Sequence, residues 1–170
     1  MMHSTGRDNT TIRRQRVANY YTSYSFIVED NPDAIKELKK LLDAANAIYE
    51  GAWGDVDDEE LVALTDRYGE DMRYSRADWQ GGGEDDGSIW FHEEESGDID
   101  GLIEVLKRWT YEHHRDKPIG FEWANTCSKP RLDAFGGGAA VVLNGFAKFM
   151  NTSTWVVEAA KMLADGSDVA

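Results

Sequence analysis

An α+β fold is predicted for this chain: a ferredoxin-like β-α-β-β-α-β core with an added C-terminal strand and helix, its antiparallel sheet ordered 5-4-1-3-2. Three observations carry that expectation. Short runs alternate apolar and polar residues with period two. Longer runs repeat apolar residues at helical spacing. Capping and turn residues mark each change of period. At 170 residues and 19.1 kDa, the chain suits one domain with a single core. That domain spans residues 19–170, and residues 1–18 form a mobile basic extension with four Arg against one Asp.

The first strand is YYTSYSFIVE, where Tyr20, Thr22, Tyr24, Phe26 and Val28 occupy every second position. Asn31 caps the helix that follows. Pro32 takes its first position and Asp33 sits at the positive end of its dipole. Ile35, Leu38, Leu41, Leu42, Ala45, Ile48 and Tyr49 make its core stripe, and Gly51 ends it. DVDDEELVALTDRYG predicts a short second helix capped by Asp57 or Asp58. SRADWQ and SIWFHEE are strands joined by the turn GGGEDDG.

Asp98 opens the next helix, with Ile99, Leu102, Ile103, Leu106 and Trp109 as its buried stripe. IGFEWANTC and GGGAAVVLNGFAKFM return to strand, adding a fifth strand beside the fourth. The last helix starts at Thr152 or Ser153, and Trp155, Val156, Ala159, Met162 and Leu163 are expected to be buried. No run approaches the ~18 apolar residues of a membrane helix, and no apolar h-region follows Arg13, Arg14 and Arg16. A cytoplasmic protein is expected.

Charge is distributed unevenly. The chain carries a net −14, and residues 50–100 hold eighteen Asp and Glu against three Arg, a balance of −15 that leaves +1 for the rest. Such a field repels nucleic acid and steers a basic surface inward. Asp57, Asp58, Glu59 and Glu60 form one cluster, Glu84, Asp85 and Asp86 a second, and Glu93, Glu94 and Glu95 a third. Alternate residues of a strand lie about 6.6 Å apart on one face, comparable with successive phosphates. These ten carboxylates are therefore the expected partner-binding residues, imitating a nucleic-acid backbone. The competing reading is a solvated face that maintains solubility.

Residues 120–143, GFEWANTCSKPRLDAFGGGAAVVL, hold the other concentration of chemistry. Gly136, Gly137 and Gly138 lead into a strand and not a helix, with no GK[ST] after them, so a turn or a close backbone approach explains them better than a phosphate loop. Thr126, Cys127, Lys129 and Arg131 form an alternative ligand site. Cations beside Cys127 favour a thiolate, but no His follows a recognisable spacing, and a nucleophile needs a base. HEEE and EHH give no zinc spacing, and neither DVDDEE nor DIDG supplies the order of a calcium loop. No cofactor and no metal is expected.

With ANYYTSYSFIV earlier in the chain, the run GFEWA-x-TCSKPR-x-x-x-x-GGGA resembles a family of small acidic proteins encoded by bacteriophages and plasmids. The resemblance covers residues 18 to about 157. It implies a mobile-element origin and a role outside housekeeping, and brings no catalytic residues with it. Charge and resemblance together lead to the expectation of a non-enzymatic interaction protein that engages a basic partner, such as a defence nuclease. The alternatives are a small-molecule binder or enzyme at the 120–138 hairpin, and a self-assembling virion component.

Overall fold

The computed structural model describes residues 19–51, 87–129 and 134–165, without the side chains of residues 50 and 51. Strand β1 (Tyr20–Glu29) leads to helix α1 (Pro32–Gly51). Strand β2 (Ser88–Glu93), helix α2 (Ile99–Glu112) and strand β3 (Ile119–Cys127) follow. Strands β4 (Gly136–Leu143) and β5 (Phe146–Asn151) then lead to helix α3 (Thr152–Ala164). The fold is α+β, with one five-stranded antiparallel sheet and three helices among the described residues.

The sheet order is β2-β1-β3-β4-β5, which replaces the expected 5-4-1-3-2. Two causes account for the difference. The expected single fifth strand is a hairpin, turned at Asn144 (φ 48°) and Gly145 (φ 82°) and pairing Leu143 with Phe146. Positive φ at both positions is what a two-residue hairpin of right-handed twist demands, and Asn-Gly meets it at least cost. The expected strand SRADWQ and the expected short helix lie outside the described residues, so neither contributes to the described order. The 1–18 extension lies outside them too.

Local chemistry explains where the first two helices begin. Asn31 Oδ1 accepts from the Ala34 N–H at 2.9 Å, and Asp98 Oδ1 accepts from the Gly101 N–H at 3.0 Å, each satisfying an orphan donor of a first turn. Behind the caps, Ile35, Leu38, Leu42, Ala45 and Ile48 of α1 are buried, as are Leu102, Ile103, Val105, Leu106 and Trp109 of α2. Both stripes face the inner side of the sheet, onto Val28, Ile89, Phe91, Ile119, Phe121, Ala140 and Val142. Phe26 lies between Phe91 and Phe121, stacked on both at centroid distances of 4.9 and 4.6 Å, so one aromatic row crosses β2, β1 and β3.

The third helix departs from expectation. Asn151 caps it, accepting from the Ser153 N–H at 2.9 Å, but no residue of α3 is buried. Trp155 is 52% exposed, Val156 57%, Met162 40% and Leu163 70%, and only Ala159 is half-buried. The expected core stripe is largely exposed, and α3 follows β5 without a linking loop at its start. There the Thr152 hydroxyl donates to the Gly137 carbonyl at 3.1 Å.

The three glycines form neither a turn nor a phosphate cradle. They are paired strand residues: Trp123 stands opposite Gly138, Ala124 opposite Gly137 and Asn125 opposite Gly136. A Cβ at Gly138 would collide with the Trp123 ring and the Met150 carbonyl, and one at Gly137 (φ 150°) with the Trp123 carbonyl. The glycines make room for an indole and for close backbone approach.

Candidate functional site

The third acidic cluster is the part of the predicted partner surface that the described residues contain. Asp57, Asp58, Glu59, Glu60, Glu84, Asp85 and Asp86 lie outside them. Glu93, Glu94 and Glu95 sit where β2 ends, pairing with β1 as far as Glu93 opposite Tyr24. The chain then bends back to hydrogen-bond with Thr22: the Thr22 N–H donates to the Glu95 carbonyl at 3.0 Å, and the Gly97 N–H to the Thr22 carbonyl at 2.9 Å.

The three carboxylates have different tasks. Glu93 Oε1 accepts from the backbone N–H groups of Glu94, Glu95 and Ser96, at 2.9, 2.8 and 3.1 Å. It organises the loop from within. Glu94 is 80% exposed and stands 3.3 Å from His92 Nε2, while Glu95 is exposed. Glu94 and Glu95 therefore present charge outward, and Glu93 holds the backbone that positions them.

The helices cover the inner face of the sheet. Alternation places Ser23, Ser25, Ile27, Trp90, His92, Glu122, Ala124 and Val141 on the outer one. An open groove of about 550 Å3 crosses that face, lined by Ser23, Ser25, His92, Glu94, Glu122 and Ala124 among others. Trp90 forms a rigid platform beside it: its indole N–H donates to Ser25 Oγ at 3.0 Å, and its ring stacks on His92 with centroids 5.0 Å apart. His92 Nδ1 is buried with no hydrogen-bond partner among the described residues. Sequence reasoning passed over Trp90 and Glu122 as site residues. Period-two alternation assigns both to the outer face, but gives no sign that no described helix covers it.

The alternative ligand site does not assemble. Thr126 and Cys127 are adjacent on β3, so their side chains project to opposite faces. A cleft of about 220 Å3 beside Thr126, lined also by Tyr21, Asn125, Phe135, Gly136 and Ser153, does not include Cys127. Cys127 is half-buried opposite Tyr20, whereas His92 is opposite Ser25, five residues along β1 or roughly 17 Å away. His113 and His114 close α2 near the start of β3, and Cys127 ends that strand. No described His is placed to act as its base. Lys129 is half-buried, and Arg131 lies outside the described residues.

No described helix is long and apolar enough to cross a membrane. Comparison with family models, curated proteins and solved structures finds no match to this chain.

Proposed function

We propose that this chain is a non-enzymatic interaction protein that uses the carboxylates of residues 50–100 to engage a basic surface, in the manner of a nucleic-acid mimic. One geometric observation carries the reading. Glu94 and Glu122 rim a groove on the sheet face that is open among the described residues, next to the Trp90–His92 stack. An arginine or lysine side chain suits that site, its charge meeting the carboxylates and its stem lying along the aromatic surface. The −15 balance of residues 50–100 supplies the longer-range field that would draw such a partner in. The partner class we favour is a nucleic-acid-binding protein, such as a nuclease of host defence.

The test is binding to a basic nuclease across a salt series, with wild type and with a variant whose Glu93–Glu95 and Asp57–Glu60 carboxylates are replaced by amides. Affinity should fall steeply as salt rises and be largely lost in the variant. Affinity indifferent to both would overturn the proposal.

A further inference from the structure

A cleft of about 350 Å3 opens on the helix-covered side of the sheet, between the start of α2 and strands β1, β3 and β5. Alternation fixes which strand residues face it. Tyr24 and Phe121 point into the core, so Thr22, Trp123 and Asn125 share their side of the sheet. Phe149 stands opposite the buried Ala140 and joins them there.

Two kinds of wall meet in this cleft. On the strand side are Trp123 and Phe149. The benzo edge of the Trp123 indole extends over Gly138, where any Cβ would collide with it, so the ring reaches from β3 across β4. Phe149 is 67% exposed, an aromatic surface that the core does not use. On the helix side, Ile99 and Ile103 continue the apolar lining, and Asp98 and Asp100 add two carboxylates. Asp98 is engaged as the cap of α2. Asp100 is exposed and makes no hydrogen bond or ion pair with a described residue.

These walls select a ligand class. No lining residue is basic, and two full negative charges outweigh the roughly half positive charge of a helix start, so an anion is repelled. Aromatic walls offer nothing to a hard metal ion, which takes oxygen ligands. No set of three or more His, Cys, Asp or Glu side chains is placed to hold one among the described residues. A neutral guest would desolvate the carboxylates without compensation. The geometry points to a binding site for a small organic cation, an ammonium or guanidinium head on an apolar body. Its charge meets Asp100 and the ring faces, and its body covers the isoleucines. The cleft is at the small end of ligand pockets, which run from roughly 300 to 1,000 Å3, and suits a single-ring amine. It lies on the opposite sheet face from the Glu94–Glu122 groove and does not depend on what that groove binds.

Titration of the full isotope-labelled chain with benzylamine, followed by NMR at the Trp123 indole N–H, tests this. Trp123→Phe identifies the signal among the six Trp. The signal should shift saturably. Benzyl alcohol, alike in shape but uncharged, should bind at least about tenfold more weakly, the scale of a hydrogen bond to a charged group. Asp100→Asn should raise the benzylamine Kd about tenfold with the backbone spectrum otherwise preserved, and Phe149→Ala should raise it severalfold. Asp33→Asn is the control. Asp33 is also exposed and also two residues past a cap, but in α1, at the other end of α2 where Trp109 meets Ala34. Its loss removes the same charge and should leave the Kd unchanged. No saturable shift, equal binding of benzyl alcohol, or an Asp100→Asn loss no greater than that of Asp33→Asn would each overturn the inference.

Discussion

The indole N–H of Trp109 donates to the Ala34 carbonyl at 3.0 Å, joining the last turns of α2 to the first turn of α1. Trp109 is 1% exposed, and the Arg115 guanidinium lies 5.2 Å from its ring centroid. One side chain thus provides core volume, satisfies its own buried donor and supports a cation. Trp109→Ala should lower unfolding free energy by about 3–5 kcal/mol. Trp109→Phe keeps much of the volume and loses the hydrogen bond, and should cost about 1–2 kcal/mol less than the alanine change. Urea unfolding of both variants gives the comparison.

Arg115 is itself a junction. Its guanidinium pairs with Asp30, donates to the Glu29 carbonyl at 2.9 Å, and through Nε reaches the Lys117 carbonyl at 2.9 Å. Its side chain is only 8% exposed, so removing its counter-charge leaves a poorly solvated cation. Asp30→Ala is expected to destabilise by about 2–3 kcal/mol. A double-mutant cycle with Arg115→Met should show a coupling above about 1 kcal/mol. Additive single effects would show that the pair is worth no more than its solvent exposure.

Gly138 and Gly120 lie on neighbouring strands and should respond in opposite ways. Gly138 has the Trp123 indole against it, whereas a Cβ at Gly120 meets only ordinary contacts, near 4.0 Å. Gly138→Ala should cost on the order of 2–3 kcal/mol through overpacking. Gly120→Ala should be neutral or slightly stabilising, since it restricts the unfolded chain without strain. Thermal melts with near-ultraviolet circular dichroism report both effects, because displacing Trp123 alters the aromatic signal.

Glu93 and Glu95 separate support from presentation. Glu93→Ala removes the acceptor of three amide hydrogens and should speed exchange at Glu94, Glu95 and Ser96 by about tenfold. Glu95→Ala removes an outward charge and should leave that exchange nearly unchanged. Hydrogen exchange read by NMR distinguishes them. Equal effects would mean that the Glu93 bonds do not govern the loop.

The parts of the fold legible in the sequence are those decided within a few residues. Asn31-Pro32 and Asp98 announce α1 and α2 because capping is local, and their stripes appear as spacing. Asn144-Gly145 carries a turn signal of the same kind, within a run whose apolar character reads as one added strand. What an element meets is a different matter. The stripe of α3 has the same period as that of α2, and period reports only that a face is apolar, not what covers it. The purpose of Gly138 depends on Trp123, a residue fifteen positions away that register alone brings opposite. Glu93 likewise reads as one of three equal charges until the bend of the chain turns three amides toward it.

The central position of β1 bears on how the chain is made. Although first among the described elements, β1 pairs with β2 on one side and β3 on the other, and a contact at its start joins Asn19 to Ser128 across 109 residues. The meander of β3, β4 and β5 closes through short connections, and such local pairing forms early. During synthesis, then, the aromatic strand YYTSYSFIV leaves the ribosome long before either neighbour exists. It lacks its β2 partner until translation has passed Glu93, and its β3 partner until translation has passed Cys127.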